Sequence, residues 1–594
     1  IQKAGSVVLE GTDVADAEGG AYQDSSTSSQ KYAVSLTLTK NGKTKFAEAT
    51  KANVGKQIAI VYDDQVLSAP NVNEEISGGK AQITGMASTE EAQNLASYIR
   101  IGSLSLELTE LRSSVVAAQL GEEAIATSVK AGAIGLVIVM LIMIIAYRIP
   151  GLVASVALVL YTTLMLITLN AFDITLTLPG IAGIILGIGM AVDANVIIFA
   201  RVREEMVRGR SVKNSLKIGF QKALSAILDG NITTLIAAAV LWFKGSGTVK
   251  GFAQTLAIGI IASMFTALVI TRLIVNAFYA VGLRSEKLYY RPKKEREPID
   301  FLSKKKVFFT ISLVLIAAGV ITIGVNAGRG NGAFAYSLEF QGGTSTNVTF
   351  DKDYSIDEID KEIVPVVEKV TGDNNVQTQK VAGTNQVIIK TVTLDLDKRE
   401  ALNKAMVDNF GVDESKITAE NISSTVSNEM RRDAVIAVVI ATICMLLYIW
   451  FRFKDIRFAT SAVLALLHDV LVVVGFYAIA RISVGNTFIA CMLTIVGYSI
   501  NATIVIFDRI REEMRGKTKS SDVAAVVNKS ITQTLTRSIY TSLTTFIMVA
   551  VLYVMGVSSI KEFALPLMVG VVCGAYSSVC ITGALWYVMK RFKK

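Results

Sequence analysis

The chain has 594 residues, of which 52% are hydrophobic and only 18% are charged, whereas a soluble chain has about 25% charged residues. The mean hydropathy is +0.48. These values exclude a disordered protein, a collagen-like fibre and an ordinary cytosolic enzyme. The hydrophobic residues come in blocks of about 20, which is long enough to cross a hydrocarbon core of about 30 Å. The composition therefore predicts a polytopic α-helical membrane protein.

The net charge of +9 lies in short basic segments beside the apolar blocks, as at 201–217 and 291–306. This is the positive-inside pattern of cytoplasmic loops, so it does not favour nucleic acid as a partner. In both halves of the chain the basic loops lie on one side of the predicted membrane, and the C-terminus lies on that side. We therefore expect a cytoplasmic C-terminus and two polar domains on the opposite side.

Residues 1–126 contain no apolar run of membrane length, and we expect them to form part of an extracytoplasmic α+β domain. Segment 11–30 is polar and rich in small residues, which predicts a mobile loop. Alternating residues predict a strand at 32–39, and a capping-box pattern predicts a helix over 88–100. Since nothing in this domain could carry it across a membrane, we expect the natural protein to have a further N-terminal span.

The rest of the sequence predicts two transmembrane bundles with a second polar domain between them. Residues 127–282 form the first bundle of five spans, and 283–306 form a basic cytoplasmic linker. Residues 307–334 contain the sixth span. Residues 335–428 have the order strand–helix–strand–strand–helix–strand, which is typical of a ferredoxin-like domain, and 429–594 contain five more spans. The predicted spans are 128–147, 151–170, 176–200, 222–243, 252–280, 307–326, 432–451, 456–480, 485–507, 533–555 and 562–588.

The two bundles contain an internal repeat. Segments 181–206 and 489–514 align without a gap at an offset of 308, and they are identical at 11 of 26 positions, including the ending R-x-R-E-E-M. A second pair, 233–253 and 544–564, shares a TT start and a K-x-F-A ending. Six spans separate the copies, so the halves have the same orientation. The sequence predicts a parallel duplication about an axis along the membrane normal, as in ion-coupled transporters.

Asp193 lies inside the third span, about 12 Å from Arg201 at a rise of 1.5 Å per residue. A lone carboxylate there costs roughly 2.5–3.5 kcal/mol and commonly marks an ion or proton pathway. The alternative is a carboxylate whose hydrogen bonds hold two helices together. Gly183, Gly187 and Gly189 give the same helix a small-sided face for close packing. We predict Asp193 as a proton-relay residue.

Other polar residues lie in or beside the spans. His468, the one histidine of the chain, and Asp469 lie in the middle of the eighth span. We predict both as proton-relay residues, with an interhelical hydrogen bond as the alternative for each. Arg537 begins the tenth span and is either the counter-charge of a carboxylate or an anchor at the cytoplasmic interface. Asp229 and Asn231 occupy the related place in the first half and are predicted as supporting polar residues.

The sequence does not support an enzyme, a cofactor or a metal site. P-loop, G-x-S-x-G and H-E-x-x-H motifs are absent, and the GKT tripeptides at 42–44 and 516–518 lack the upstream glycine. All cysteines lie in apolar blocks without a C-x-x-C pair, so neither a disulfide framework nor a zinc site is predicted. A proton or sodium gradient is the expected source of energy. The four cysteines are Cys444, Cys491, Cys573 and Cys580.

Four segments carry a resemblance to a known family. GIGMAVDANVIIFARVREE (187–205) and ILDGNITTLIAA (227–238) are similar to the signature helices of SecD. GYSIN-TIVIFDRIRE (497–512, with Ala502 in the gap) and SLEFQGGT (337–344) are similar to SecF. From about residue 31 to the C-terminus, the chain resembles the fused SecD–SecF proteins of the bacterial export machinery, which are members of the RND superfamily. The family's early D-L-x-G-G strand is not present.

The resemblance implies two RND-type transmembrane halves, each with an extracytoplasmic α+β domain. It also implies a multi-pass protein of the bacterial inner membrane that uses the proton gradient to promote late translocation and release of unfolded secretory polypeptides. The implied partners are the SecYEG channel and the SecA ATPase, with YidC, YajC and membrane lipids as further expected partners. Asp193 matches the proton-carrying Asp of SecD, and Arg537 matches the Arg of SecF that partners it.

Two positions depart from the family pattern. Glu339 stands where SecF usually has Asp, which is a mild change. Ala502 replaces the Asp that follows Asn501 in SecF, so the second carboxylate near the pseudo-two-fold axis is missing. Asp193 is then expected to titrate as a single site, with Asn501 as a supporting polar partner.

Two other functions remain open from the sequence. An RND-type proton-coupled exporter of lipids or small molecules would need large outer domains with a substrate cleft, and 335–428 forms only one small unit. A passive assembly scaffold for the translocon would use no protons. Proton flux through the protein discriminates the scaffold from the proton-driven subunit.

Overall fold

The chain divides into two compact units, Ile1–Glu110 and Leu111–Lys594. Sequence patterning places the first boundary at residue 126, where the apolar span begins. The structural boundary lies earlier because residues 112–114 pair with a strand of the second unit. The computed structural model describes residues 7–23, 30–62, 65–103, 112–114, 118–245, 248–290, 297–329, 332–355, 358–373, 376–381, 384–515, 522–556 and 558–591.

The first unit is a three-stranded antiparallel sheet with β2 in the centre and β1 and β5 at its sides. The predicted strand at 32–39 and helix at 88–100 are both present. Ser88 Oγ caps the helix by accepting a hydrogen bond from the Glu91 backbone N–H at 3.1 Å. The elements are β1 (Val14–Gln23), β2 (Gln30–Leu38), α1 (Lys40–Ala52), β3 (Ile60–Tyr62), β4 (Gln65–Ser68), β5 (Lys80–Met86) and α2 (Thr89–Gly102).

The prediction of a mobile loop over 11–30 is wrong for Val14–Gln23, which forms β1. The strand packs closely against α2 because its inward residues are small. Ala17 is 0% exposed, and a Cβ added at Gly19 would lie 2.2 Å from the Ala92 carbonyl oxygen. Such small residues carry little hydrophobic signal, so the pattern resembles that of a loop. Residues 24–29 lie outside the described residues.

Eleven helices in the described residues are long and apolar enough to cross a membrane, as predicted. Two of these spans are interrupted by a π turn, at Thr266–Ile270 between α7 and α8 and at Ser577–Thr582 between α18 and α19. The helices of the second unit are α3 (Ala118–Tyr147), α4 (Ile149–Ala171), α5 (Leu178–Val207), α6 (Val212–Lys244), α7 (Thr248–Phe265), α8 (Thr271–Ala280), α9 (Glu286–Tyr289), α10 (Lys305–Gly328), α11 (Leu338–Gln341), α12 (Val364–Thr371), α13 (Leu396–Phe410), α14 (Ser424–Phe453), α15 (Ile456–Ala480), α16 (Asn486–Met514), α17 (Val523–Met555), α18 (Ser558–Tyr576) and α19 (Gly583–Arg591).

The polar segment between the sixth and seventh spans has the predicted ferredoxin-like fold. Its antiparallel sheet has the order β6-β11-β8-β10-β9. The edge strand β6 precedes the first transmembrane helix, so the first half contributes one strand to the sheet of the second half. Three residues are too short for a periodic pattern, which is why the sequence does not predict this pairing. The strands are β6 (Arg112–Ser114), β7 (Ala335–Tyr336), β8 (Gly343–Thr349), β9 (Gln377–Lys380), β10 (Gln386–Thr391), β11 (Ile417–Ile422) and β12 (Ser483–Val484).

The two helices of the repeat, α5 and α16, lie at the centre of the transmembrane bundle. In their most apolar windows 83% and 89% of the residues are buried, against 11% for the peripheral α10. Lipid can cover an apolar helix, so apolar character does not require this position; the small residues and polar groups of α5 and α16 favour the centre, where helices pack closely and polar groups find partners. The centre of the bundle is therefore built from the two copies of one sequence.

The three glycines predicted for helix packing face three different neighbours of α5. A Cβ added at Gly183 would lie 2.9 Å from a threonine hydroxyl of α7, and one at Gly187 would lie 2.6 Å from the Tyr161 hydroxyl of α4. A Cβ at Gly189 would lie 3.1 Å from the backbone of α17. Small residues thus let α5 approach the surrounding helices closely.

Candidate functional site

Two equivalent positions of the repeat, Asp193 on α5 and Asn501 on α16, meet at the centre of the bundle. Asn501 Nδ2 donates a hydrogen bond to Asp193 Oδ2 at 2.5 Å, and Asp193 is only 8% exposed. Gly230 on α6 makes room for the amide, since a Cβ there would lie 2.0 Å from Asn501 Oδ1. Because an amide cannot ionise, the pair holds at most one negative charge.

Arg537 on α17 shares a small cavity with Asp193. The cavity has a volume of about 10 Å³, roughly the room of one water molecule, and Tyr498 and Ala502 also line it. Arg537 is 7% exposed, so it lies inside the bundle rather than at an interface. Within the described part of the chain, neither Arg537 Nη2 nor Asn501 Oδ1 has a hydrogen-bond partner. This geometry suits a counter-charge for Asp193.

The C-terminal ends of α5 and α16 are joined by two crossed ion pairs. Arg201 lies 3.1 Å from Glu512, and Arg509 lies 3.4 Å from Glu204. These four residues are the charged endings of the repeat, and each arginine also pairs with the glutamate three residues on in its own helix. The shared R-x-R-E-E-M ending is the signal that could have predicted this cluster, given that the two helices meet.

Asp229 on α6 belongs to a second cluster. Its Oδ1 accepts a hydrogen bond from the Tyr448 hydroxyl at 2.9 Å, and its Oδ2 accepts one from Arg452 Nε at 2.7 Å. Both partners lie on α14, so this buried ion pair joins the two halves. Asn231 donates to the Ile227 carbonyl of its own helix at 2.8 Å. Arg452 is not predicted from the sequence, because its basic segment resembles a loop. In the structure, α14 continues through this segment to Phe453.

Asp469 on α15 is the centre of a third cluster and is 0% exposed. Its Oδ2 accepts hydrogen bonds from Ser499 Oγ at 2.6 Å and Ser577 Oγ at 2.7 Å, and its Oδ1 lies 2.9 Å from His468 Nδ1. Ser499 comes two residues before Asn501, and such residues lie about 200° apart around a helix. Helix α16 therefore contacts the Asp193 and Asp469 clusters with different faces.

The two positions that depart from the expected family pattern have different surroundings. Glu339 on α11 accepts a hydrogen bond from Ser337 Oγ at 2.6 Å and one from the Asn486 backbone N–H at 3.5 Å. The Glu339 carboxylate thus lies beside the first residue of α16. Ala502 lines the cavity that Asp193 and Arg537 share, so an added carboxylate there would face both.

We expect Ala502→Asp to be tolerated and to raise the pH optimum of the protein modestly. A second carboxylate in the cavity would repel the first, which favours proton uptake by the pair. The measurement is the pH dependence of the export activity that the resemblance to SecD and SecF implies, compared with Ala502→Asn, which adds a similar volume without a charge. An unchanged optimum in the Asp variant would contradict the expectation, and so would an equal change in both variants.

Two family profiles match the chain. The profile described as "Protein export membrane protein SecD/SecF, C-terminal" matches 101–280 and 402–592, and the profile "SecDF, P1 head subdomain" matches 2–106. The first profile matches both halves, as the duplication requires. The protein translocase subunit SecDF of Brucella abortus biovar 1 (strain 9-941) is 36% identical over 590 residues, which cover 97% of this chain and 75% of that protein. The chain belongs to the SecDF family.

Two further SecDF proteins are also similar to this chain over most of its length. SecDF of Bacillus subtilis (strain 168) is 36% identical over 558 residues, covering 88% of this chain and 72% of that protein. The crystal structure of SecDF from Thermus thermophilus, titled as a translocon-associated membrane protein, matches with a TM-score of 0.76 at 34% identity. It covers 99% of this chain and 79% of that chain. The predicted family and fold class are therefore confirmed.

A more distant structural match extends the SecDF fold beyond protein export. The hedgehog release protein Disp from the water bear Hypsibius dujardini matches with a TM-score of 0.51 at 11% identity, covering 79% of this chain and 71% of that chain. At this identity the match shows the fold alone.

Proposed function

We propose that this SecDF-family chain is a proton-driven subunit of the Sec translocon that promotes the late translocation and release of secreted proteins. The observation that carries the proposal is the single carboxylate of Asp193, buried between two copies of one helix. It is held by the neutral amide of Asn501 and shares a cavity with Arg537. Membership of the SecDF family supports the link to the translocon.

The surroundings of Asp193 suit a cycle of proton binding and release. When the carboxylate is ionised, Arg537 attracts it and Asn501 donates to it. When it is protonated, the attraction to Arg537 is lost, and the acid can donate a hydrogen bond to Asn501 Oδ1, which has no partner among the described residues. The two protonation states therefore favour different contacts between α5, α16 and α17, and proton binding biases two arrangements of these helices.

The membrane potential is large enough to drive such a change. One charge that crosses 100 mV releases about 2.3 kcal/mol. This corresponds to roughly a 50-fold shift of a two-state equilibrium. One or two protons per cycle therefore suffice to move the bundle between states of similar energy.

The chain also provides a rigid connection from the bundle to the ferredoxin-like domain. Strand β11 ends at Ile422 and α14 begins at Ser424, so one residue separates the sheet from a transmembrane helix. Arg431 on α14 donates to the Phe340 carbonyl beside the sheet. The other end of α14 carries Arg452, which pairs with Asp229 of the first half. A shift between the halves would therefore move α14 and the sheet together.

We place the protein in the bacterial inner membrane with a cytoplasmic C-terminus, as the positive-inside pattern indicates. Its proposed partners are the SecYEG channel, SecA, and the accessory proteins YidC and YajC, with unfolded secretory polypeptides as the cargo. The work comes from proton transfer, with no catalysis on a substrate and no cofactor. Sodium in place of the proton is the alternative coupling ion.

The proposal is tested by measuring proton flux in liposomes that contain the purified protein, with an imposed potential and a pH-sensitive dye. We expect flux above that of protein-free liposomes, and at least a tenfold loss for Asp193→Asn. The matched control is Asp408→Asn, the same change at an exposed position on α13, which should conduct like the wild type. Flux equal to that of protein-free liposomes would instead support a passive scaffold.

A further inference from the structure

The pair His468–Asp469 is a buried ionisable group that the cycle at Asp193 does not use. We propose that this pair is a second proton-binding site, which takes up one proton as a unit and lies in the second half of the bundle. The inference rests on the proposed proton-driven function. It assigns a proton site to the half whose signature helix carries no carboxylate at the positions of Asn501 and Ala502.

The carboxylate of Asp469 has no permanent counter-charge in the described structure. This carboxylate is 0% exposed, and the basic group within ion-pair distance in the described structure is the ionisable imidazole of His468, at 2.9 Å. The other contacts are the hydroxyls of Ser499 and Ser577, which carry no charge. By contrast, the buried Asp229 pairs with a permanently charged arginine. The Asp469 carboxylate thus has no fixed cation among the described residues, and one added proton would neutralise the pair.

The two nitrogens of the His468 imidazole have different surroundings. His468 is 7% exposed, its Nδ1 faces Asp469 Oδ1, and its Nε2 has no hydrogen-bond partner among the described residues. With Asp469 ionised, Nδ1 carries the proton and donates to the carboxylate, so Nε2 has a free lone pair. A buried nitrogen in this state is an acceptor that can receive a proton.

The proton balance of the pair follows from this geometry. A proton that arrives at Nε2 forms an N–H bond with its lone pair and gives an imidazolium beside the Asp469 carboxylate. The Nδ1 proton can then move to Asp469 Oδ1, which leaves a neutral imidazole and a neutral carboxylic acid. In either form the pair has changed from a charge of −1 to 0. Loss of one proton to water restores the starting state.

Other ionisable groups beside the pair are a phenol and a thiol. The ionisable groups facing the pair are on α18, where the Tyr576 ring centroid lies 6.1 Å from that of His468 and Cys573 interacts electrostatically with Asp469. Helix α16 contributes the Ser499 hydroxyl, and α10 contributes the Ser312 hydroxyl, which contacts Tyr576. Phenols and thiols ordinarily ionise well above neutral pH, whereas imidazole does not.

A π turn and a shared helix connect this site to the rest of the bundle. Ser577, which donates to Asp469, begins the π turn Ser577–Thr582 between α18 and α19, and such turns occur frequently at functional sites. Ser499 belongs to α16, which also contacts Asp193 through Asn501. A change of the hydrogen bonds at either carboxylate therefore acts on the same central helix.

The test uses the fact that the chain has one histidine, so protein labelled with ¹⁵N-histidine gives the signals of one imidazole. We expect NMR of the full chain in lipid at high pH to show a neutral ring with the proton on Nδ1. On lowering the pH toward 5, a single proton uptake should occur. Asp469→Asn should lower the midpoint of this titration by at least about one pH unit, since the imidazolium loses its counter-charge. Asp408→Asn should leave it unchanged.

A functional measurement accompanies the titration. Proton flux in liposomes should fall at least fivefold for Asp469→Asn and for His468→Gln, and the imidazole titration should persist in Asp193→Asn protein. The proposal is overturned by imidazole signals that show neither protonation nor a change of tautomer between pH 5 and 8, by a signal that responds to sodium instead of pH, or by normal flux in both variants. The NMR titration of His468 requires neither export nor proton flux. Its outcome therefore does not depend on the outcome of the Asp193 test.

Discussion

Asp193→Asn is expected to abolish the proton-dependent stimulation of export while the protein stays folded and inserted. The asparagine side chain has nearly the same shape as aspartate, and it can still accept a hydrogen bond from Asn501, which donates to Asp193 in the wild type. It cannot bind or release a proton. The variant therefore keeps the packing between α5 and α16 and loses the step that distinguishes the two states of the bundle.

The measurement is the rate at which a secreted protein is released from cells or vesicles that contain each variant at equal amounts. We expect Asp193→Asn to match vesicles without the protein and Asp408→Asn to match the wild type. Arg537→Gln should lower the rate at least tenfold, since it removes the charge that shares the cavity with Asp193. Wild-type release by Asp193→Asn would show that this carboxylate does not carry the coupling proton.

Arg452→Ala is expected to have the largest effect on stability, lowering the free energy of unfolding by about 3 kcal/mol. The change leaves Asp229 buried without its cation, and the Asp229 side chain is 7% exposed. The value is at the low end of the range for broken buried pairs because the Arg452 side chain is 22% exposed. The double variant Arg452→Ala/Asp229→Asn should recover much of the loss, because it removes the uncompensated charge.

A matched control lies four residues beyond the end of α14. Arg457 and Asp455 form a more exposed ion pair at 3.6 Å, and Arg457→Ala should cost less than about 1 kcal/mol. The measurement is reversible unfolding of the purified protein in mixed micelles, followed by the loss of helical signal. Equal losses for Arg452→Ala and Arg457→Ala would show that the pair with Asp229 contributes no more than a surface pair.

Most of the transmembrane fold could be predicted from the sequence. Apolar blocks of membrane length predict all eleven spans, because a helix in lipid must be apolar over about 20 residues. The gapless repeat predicts that α5 and α16 are related, and strong strand and helix patterns predict the ferredoxin-like domain. The strands β1 and β6 could not be predicted in this way. The first has small residues with little hydrophobic signal, and the second has three residues whose partner, β11, lies about 300 positions away in the sequence.

The resemblance to SecD and SecF implies Arg537 and Asn501 as partners of Asp193, but the other residues of the candidate site could be predicted only singly. Asp193, Asp469 and His468 are ionisable residues in apolar spans. Such residues are costly in a membrane, so each can be predicted as functional. Their partners depend on which helices pack together. Helix packing places Arg452 on Asp229 and Ser499 on Asp469, and a serine or a basic residue at a helix end has no signal of its own.

We expect the proton gradient to act through this protein after ATP-driven translocation has begun. The most direct test starts export with ATP into vesicles that contain the protein, and then collapses the membrane potential and pH gradient while ATP is still present. We predict that release of the partly exported chain stops in wild-type vesicles and that vesicles with Asp193→Asn release slowly with or without the gradient. Continued release at the full wild-type rate after the collapse would contradict the account.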